Sequence, residues 1–150
     1  MTTNISVDDL HSFTGQQLGY SEWQTITQER VNLFADATDD HQWIHVDPER
    51  AKEGPFGVAI AHGYLTLSLA PVLLNQVIRV DNTTFGVNYG CGKVRFPSPV
   101  PVGAELRMGV TVAEVEEVTG GVQATYDLVF EVRDAPKPSC VAQVIYRYFR

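Results

Sequence analysis

Along the second half of the chain, apolar and polar residues alternate with a period of two. Val122, Ala124, Tyr126, Leu128, Phe130 and Val132 fall on one side, and Gln123, Thr125, Asp127, Glu131 and Arg133 on the other; only Val129 is out of step. Leu106, Met108, Val110 and Val112 alternate likewise, and Gly120-Gly121 lies between the two runs. Strict alternation sets one face against a core and the other in water, and a glycine pair between such runs marks a hairpin. Cys140, Ala142, Val144, Tyr146 and Tyr148 predict a last strand, and strand character begins at Thr84.

The first half has another rhythm. Trp23 to Ile26 is a short strand, and Thr27 is placed to cap a helix over Gln28 to Ala37 with Val31, Phe34 and Ala35 on one face. The acidic cluster Asp36, Asp39 and Asp40 ends that helix. Residues 40 to 45 lack helical periodicity and read as an irregular loop. Asp47 then caps a helical turn with Pro48 in its first position, and Gly54-Pro55-Phe56-Gly57 is a turn. From Ala61 to Ile78 the apolar positions go nearly all the way round, which predicts a helix buried on most sides and kinked or restarted at Pro71. One such helix followed by long alternating strands is an α+β pattern. An antiparallel sheet wrapped around the helix, the hotdog fold, would bury it so, although periodicity alone does not single that fold out.

The composition keeps this picture within one globular domain spanning residues 1–150: hydrophobic residues make up 44% and charged residues 19%, without repeats or a linker. The net charge is −7, from 11 basic against 18 acidic residues, and there is no basic run. A nucleic-acid partner is therefore not expected, and an anionic ligand must be held by a few local cations. Cys91 and Cys140 form no metal spacing. The start lacks the basic head and apolar run of a secretion signal, and the stretch from Val58 to Leu74 is broken by His62, Gly63, Ser68 and Pro71. The expectation is a cytoplasmic protein with reduced thiols and no membrane span.

Most of the ionisable chemistry lies between residues 34 and 63. Asp40 and His45, five apart on an irregular segment, could converge on one water, orient it and take its proton. Gly63, in Ala61-His62-Gly63, opens the buried helix. Its N–H there suits a carbonyl oxygen that gains negative charge, and the missing side chain lets a ligand approach. Each residue also has a structural reading: Asp40 as a helix-end residue, His45 as a satisfied loop histidine, Gly63 as a packing glycine, His62 as a loop tether without a catalytic role. His41 and His45 have the four-residue metal spacing, but neither a helix nor a third ligand accompanies them.

Phe34-x5-Asp40-x4-His45-x5-Ala51, then Ile60-Ala61-His62-Gly63 and a long helix, resembles the MaoC-like dehydratases, the R-specific enoyl-CoA hydratases. Asn88-Tyr89-Gly90, Lys93-Val94-Arg95-Phe96-Pro97 and Pro99-Val100-Pro101-Val102-Gly103 resemble a single-domain bacterial branch of that family. The resemblance implies a hotdog homodimer that adds water to a trans-2-enoyl-CoA, giving an (R)-3-hydroxyacyl-CoA, with no metal and no redox cofactor. It implies that Asp40 and His45 activate the water and that the Gly63 amide stabilises the enolate-like oxygen. Gln42, Trp43, Asn88, Tyr89, Lys93 and Arg95 are the candidate substrate-binding residues, with Arg107 a further candidate for phosphate. Within the motif, Gln42 stands where the family usually has Asn and Trp43 where it has Pro, which bears on loop shape and acyl-pocket width. Two other readings stand beside hydration: a hotdog thioesterase, and a non-catalytic acyl-CoA-binding subunit of a larger hydratase. The acidic surface disfavours acyl carrier protein, itself acidic, as the carrier.

Overall fold

The computed structural model describes residues 1–150. In chain order the elements are β1 (Thr3–Ser6), a 3-10 turn (Leu10–Phe13), β2 (Gln17–Tyr20), β3 (Gln24–Thr25), α1 (Gln28–Thr38), α2 (Trp43–Val46), α3 (Pro48–Lys52), α4 (Gly63–Ser68), α5 (Ala70–Val77), β4 (Ile78–Asp81), β5 (Phe85–Arg95), β6 (Glu105–Val118), β7 (Gly121–Val132) and β8 (Cys140–Phe149). The long strands pair antiparallel in the order β6-β7-β8-β5, and both β2 and β3 join the other edge of β6. The sheet curls around α4 and α5, the hotdog arrangement that the alternation and the apolar helix together suggest.

The period-two runs bury their apolar side as expected. Leu106, Met108, Val110 and Val112 of β6 and Ala124, Tyr126, Leu128 and Phe130 of β7 are fully buried. Opposite them lie Leu65, Leu69, Ala70, Leu73, Leu74 and Val77 of the helix pair, in one core of 27 buried residues. Burying a side chain such as Leu73 stabilises the fold by roughly 1.5–3 kcal/mol. Val118 pairs with Gly121 at the hairpin, and Gly120 takes a φ of 81°, which a side chain would resist.

Three expectations change. The helix expected from Ala61 to Ile78 begins only at Gly63 and ends at Val77; it breaks at Leu69 and restarts as α5, the interruption expected at Pro71, which cannot donate into a continuous helical ladder. It is also less covered than predicted, since Tyr64 is 70% exposed and Val72 49%. Residues 43–46, read as loop, form the helical turn α2, closed by His45 N–H and Val46 N–H donating to the Gln42 carbonyl. Four residues are too few to show a helical period. A feature without any forewarning is β1, which pairs in parallel with β4 and buries Ile5.

The ends of α1 and α3 follow the sequence. The Thr27 hydroxyl accepts from the Arg30 N–H, and the Asp47 carboxylate accepts from the Arg50 N–H with Pro48 opening α3. Asp39 ends α1 in the left-handed conformation, at φ 60°. No helix is long and apolar enough to cross a membrane.

Candidate active site

The segment around Ile60 positions the site. Its N–H donates to the Ile44 carbonyl at 3.0 Å, and Ala61 N–H donates to the Val100 carbonyl at 2.9 Å. The Gln28 side-chain amide, from α1, donates to the carbonyl of His45 at 2.8 Å. The short turn α2 is thus tied on two sides, although alone it is far below the length at which a helix is stable in water.

His45 is 7% exposed, and its Nδ1 lies 2.7 Å from the Ile60 carbonyl. A carbonyl only accepts, so Nδ1 carries the proton and donates, which assigns the neutral tautomer with a lone pair on Nε2. The pKa of His45 is lowered below its ordinary 6.5, chiefly by burial; the Ile60 carbonyl acts against this, the neighbouring His62 with it, and Asp40 against it. The imidazole is therefore in its basic form at neutral pH.

Asp40 follows the left-handed Asp39, and its carboxylate is exposed. One Asp40 carboxylate oxygen and one ring nitrogen each from His45 and His62 lie within 4.8 Å of one another. Such spacing invites a bridging water. It fits a metal ion poorly. The rings of His45 and His62 are stacked at 3.9 Å with 23° between their planes, so their in-plane lone pairs do not converge on a point about 2.0–2.1 Å from both.

Gly63 opens α4, with His62 as its N-cap. The first N–H groups of a helix have no intrahelical acceptor, which leaves this amide free for a ligand. A Cβ on Gly63 would stand 3.1 Å from the ring of Phe96, so the glycine also serves close packing. Both readings of Gly63 made from sequence therefore have a physical basis here.

A cavity of about 300 Å³ opens beside these groups, walled by His45, Ile60, Ala61, Gly63 and Thr66 and, across from them, by Phe96 to Val100, Phe56 and Ser139. Ser139 is 2% exposed and its hydroxyl has no partner. Sequence reasoning passed over Phe96, Thr66 and Ser139 as wall residues; Phe96 stood within a motif but was given no role there, and Thr66 and Ser139 stood in none. It also set aside His62, whose place beside Gly63 was the available signal.

The remaining candidates spread out. Trp43 is not part of this cavity: its ring lies against Gly54, where a Cβ would be 2.8 Å away, and under the Arg50 guanidinium at 4.3 Å. Gln42 is exposed and works through its backbone. Asn88 borders a separate hollow against Leu67, Ala70 and Pro71. Tyr89 lies 3.5 Å beneath the Arg147 guanidinium. Lys93 and Arg95 share a third hollow with Asp127 and Gln143, and Arg95 donates to the Val94 carbonyl while forming no ion pair. Arg107 is committed to Glu131 at 3.0 Å and covers Tyr20 and Trp23. His41 is exposed and bonds Asp36 at 2.9 Å, far from a metal-ligand role with His45; that bond to Asp36 is the chief cause raising its pKa. Cys91 and Cys140 are both free thiols.

Residues 9–132 match the MaoC-like domain. The chain belongs to the MaoC-like dehydratase family. It is 54% identical over 149 residues to the 3-hydroxyacyl-thioester dehydratase Z of Mycobacterium tuberculosis, covering 99% of each chain. The fold is shared with the monoamine oxidase regulatory protein of Archaeoglobus fulgidus, at a TM-score of 0.81 and 24% identity over 100% of this chain and 98% of that one. It is shared too with the (R)-hydratase from A. caviae involved in PHA biosynthesis, at 0.70 and 23% over 89% and 94%. At the level of reaction class, this MaoC-like chain is a hydro-lyase.

Proposed function

We propose that this MaoC-like protein is an R-specific enoyl-CoA hydratase, adding water reversibly across trans-2-enoyl-CoA to give (R)-3-hydroxyacyl-CoA. The observation that carries the reading is the neutral, buried His45, a wall residue of the cavity, with one of its ring nitrogens and an Asp40 carboxylate oxygen within 4.8 Å of each other. A water held between them gives a proton to the pair as its oxygen bonds to C3. The C2=C3 electron pair moves toward the thioester carbonyl, whose oxygen gains charge near the Gly63 amide. The proton then returns to C2 on the same face and the carbonyl re-forms. Atoms and charge balance without a metal or redox cofactor.

Arg95, free of any carboxylate partner and next in sequence to the cavity residue Phe96, suits a CoA phosphate, with Lys93 beside it. Asn88 and Tyr89 belong in this reading to the acyl side, and Gln42 and Trp43 to the shape of the catalytic loop. A homodimer follows from the same family reading. Its support is the unpaired outer edge of β5, along which Phe85, Val87 and Tyr89 are exposed, together with the bare side of Tyr64. The free thiols suit a cytoplasmic setting.

The test is loss of enoyl absorbance on mixing the protein with a short and a long trans-2-enoyl-CoA, followed by chiral analysis of the alcohol. Asp40→Asn and His45→Gln should each lower the rate on the order of a hundredfold or more. Near-wild-type hydration by either variant sinks the reading; release of free thiol without hydration would make the protein a thioesterase.

A further inference from the structure

We propose that His62 is a positioning residue that holds Asp40, His45 and the Gly63 amide in mutual register; the inference rests on the catalytic reading of Asp40 and His45. Its own contacts distinguish it from an ordinary core histidine. The side chain is 3% exposed, and its Nε2 lies 3.0 Å from the Asp40 main-chain carbonyl. That carbonyl only accepts, so Nε2–H is the donor. One face of the ring lies flat on His45, at 3.9 Å, while Phe34 meets it at 4.9 Å and a 55° tilt. The next residue in the chain is Gly63.

These contacts reach three pieces of the site that the chain delivers separately: the segment after α1, the turn α2, and the start of α4. Asp40 has little else to fix it. Its carboxylate is exposed, and the nearest donor, the Gln42 N–H, is a weak 3.4 Å away. His45 is held at Nδ1 by Ile60, but a bond along one axis leaves the ring free to rock until a flat neighbour covers its face. His62 supplies both constraints.

The ring does not perform the usual duty of its position. It is the N-cap of α4, yet its side chain makes no capping bond. Nor is it fully satisfied, because Nδ1 is buried without a partner. A side chain kept only to fill space here would leave no polar atom stranded. The polar interaction that accounts for an imidazole is the donation to Asp40. Phe could stack but not donate; Gln can place an amide N–H near the Nε2 position, and Asn only near the Nδ1 position.

The last comparison gives the test. His62→Gln, His62→Asn and His62→Phe are assayed for trans-2-enoyl-CoA hydration, with kcat and KM separated and thermal melting followed in parallel. In His62→Asn and His62→Phe, kcat should fall at least about tenfold with KM changed by less than about threefold, as misalignment of reacting groups predicts. His62→Gln should recover much of kcat relative to His62→Asn. Equal kcat in the Gln and Asn variants overturns the proposal, as does a His62→Phe enzyme within about twofold of wild type. The Gln–Asn contrast stands even if His62→Phe does not fold. Asp40→Asn serves as the control that separates the two claims. If it is inactive while the His62 variants are fully active, only the positioning role fails; if it is fully active, the catalytic reading itself has failed.

Discussion

At the scale of single residues, burial and hydrogen bonding set the state of one imidazole in the candidate site. His45 titrates below 6.5 because the fold removes water from it, and the bond to the Ile60 carbonyl fixes which nitrogen keeps the proton. Two pH effects follow. The proposed hydration needs the basic form, so kcat/KM should stay level as pH falls through 6.5 and drop only below it, in a pH–rate profile. Stability shares the sign. The unfolded chain binds the proton more readily, so the contribution of His45 is complete above 6.5 and is lost as pH falls below it. Denaturant midpoints measured between pH 7 and 5 should decline accordingly. That Asp40 and His45 approach one another was legible from their spacing. His62 was not, because its partners lie 22 and 17 residues away in sequence and only the fold makes them neighbours.

At the scale of elements, turn chemistry and strand alternation were the most legible features, since both are local. The β6–β7 hairpin is the clearest case and yields a strict requirement at Gly121. A Cβ there would overlap the backbone carbonyl of Tyr148, which belongs to the paired β8 and cannot swing aside. Gly121→Ala should therefore cost about 2 kcal/mol or more, a drop of roughly 4–8 °C in the thermal midpoint of a domain of this size. An unchanged melting curve would show that the strand ends shift freely. Short elements were illegible for the converse reason. The turn α2 holds its shape through Gln28 and Ile60, and β1 through its pairing with β4, so neither needed a periodic sequence of its own.

At the scale of the whole molecule, the helix pair is covered on one side by the sheet and bare along Tyr64 and Val72, while β5 leaves an unpaired edge. The proposed dimer, joined through that edge, would cover both. Sedimentation of the wild-type protein should give twice 16.6 kDa, and Val87→Arg on the edge strand should shift it to the single-chain mass. A wild-type monomer at micromolar concentration would rule the dimer out. The apolar run of Ala61 to Ile78 predicted burial on most sides because composition records how much apolar surface a helix carries; it does not say whether this chain or a second copy covers it.

The sequence by itself determined the α+β pattern, the long strands and their hairpin, the caps of α1 and α3, and the spacing of Asp40, His45 and Gly63. These depend on periodicity, turn chemistry and motif spacing, each readable within a few dozen residues. Only the tertiary structure decided where Trp43 lies, that His62 touches both Asp40 and His45, and that Phe96, Thr66 and Ser139 wall the cavity. The physical reason is that a site is assembled across segments: hydrogen bonds, ring stacking and exclusion of water act through space, and the chain order that encodes each piece does not encode the distances between them.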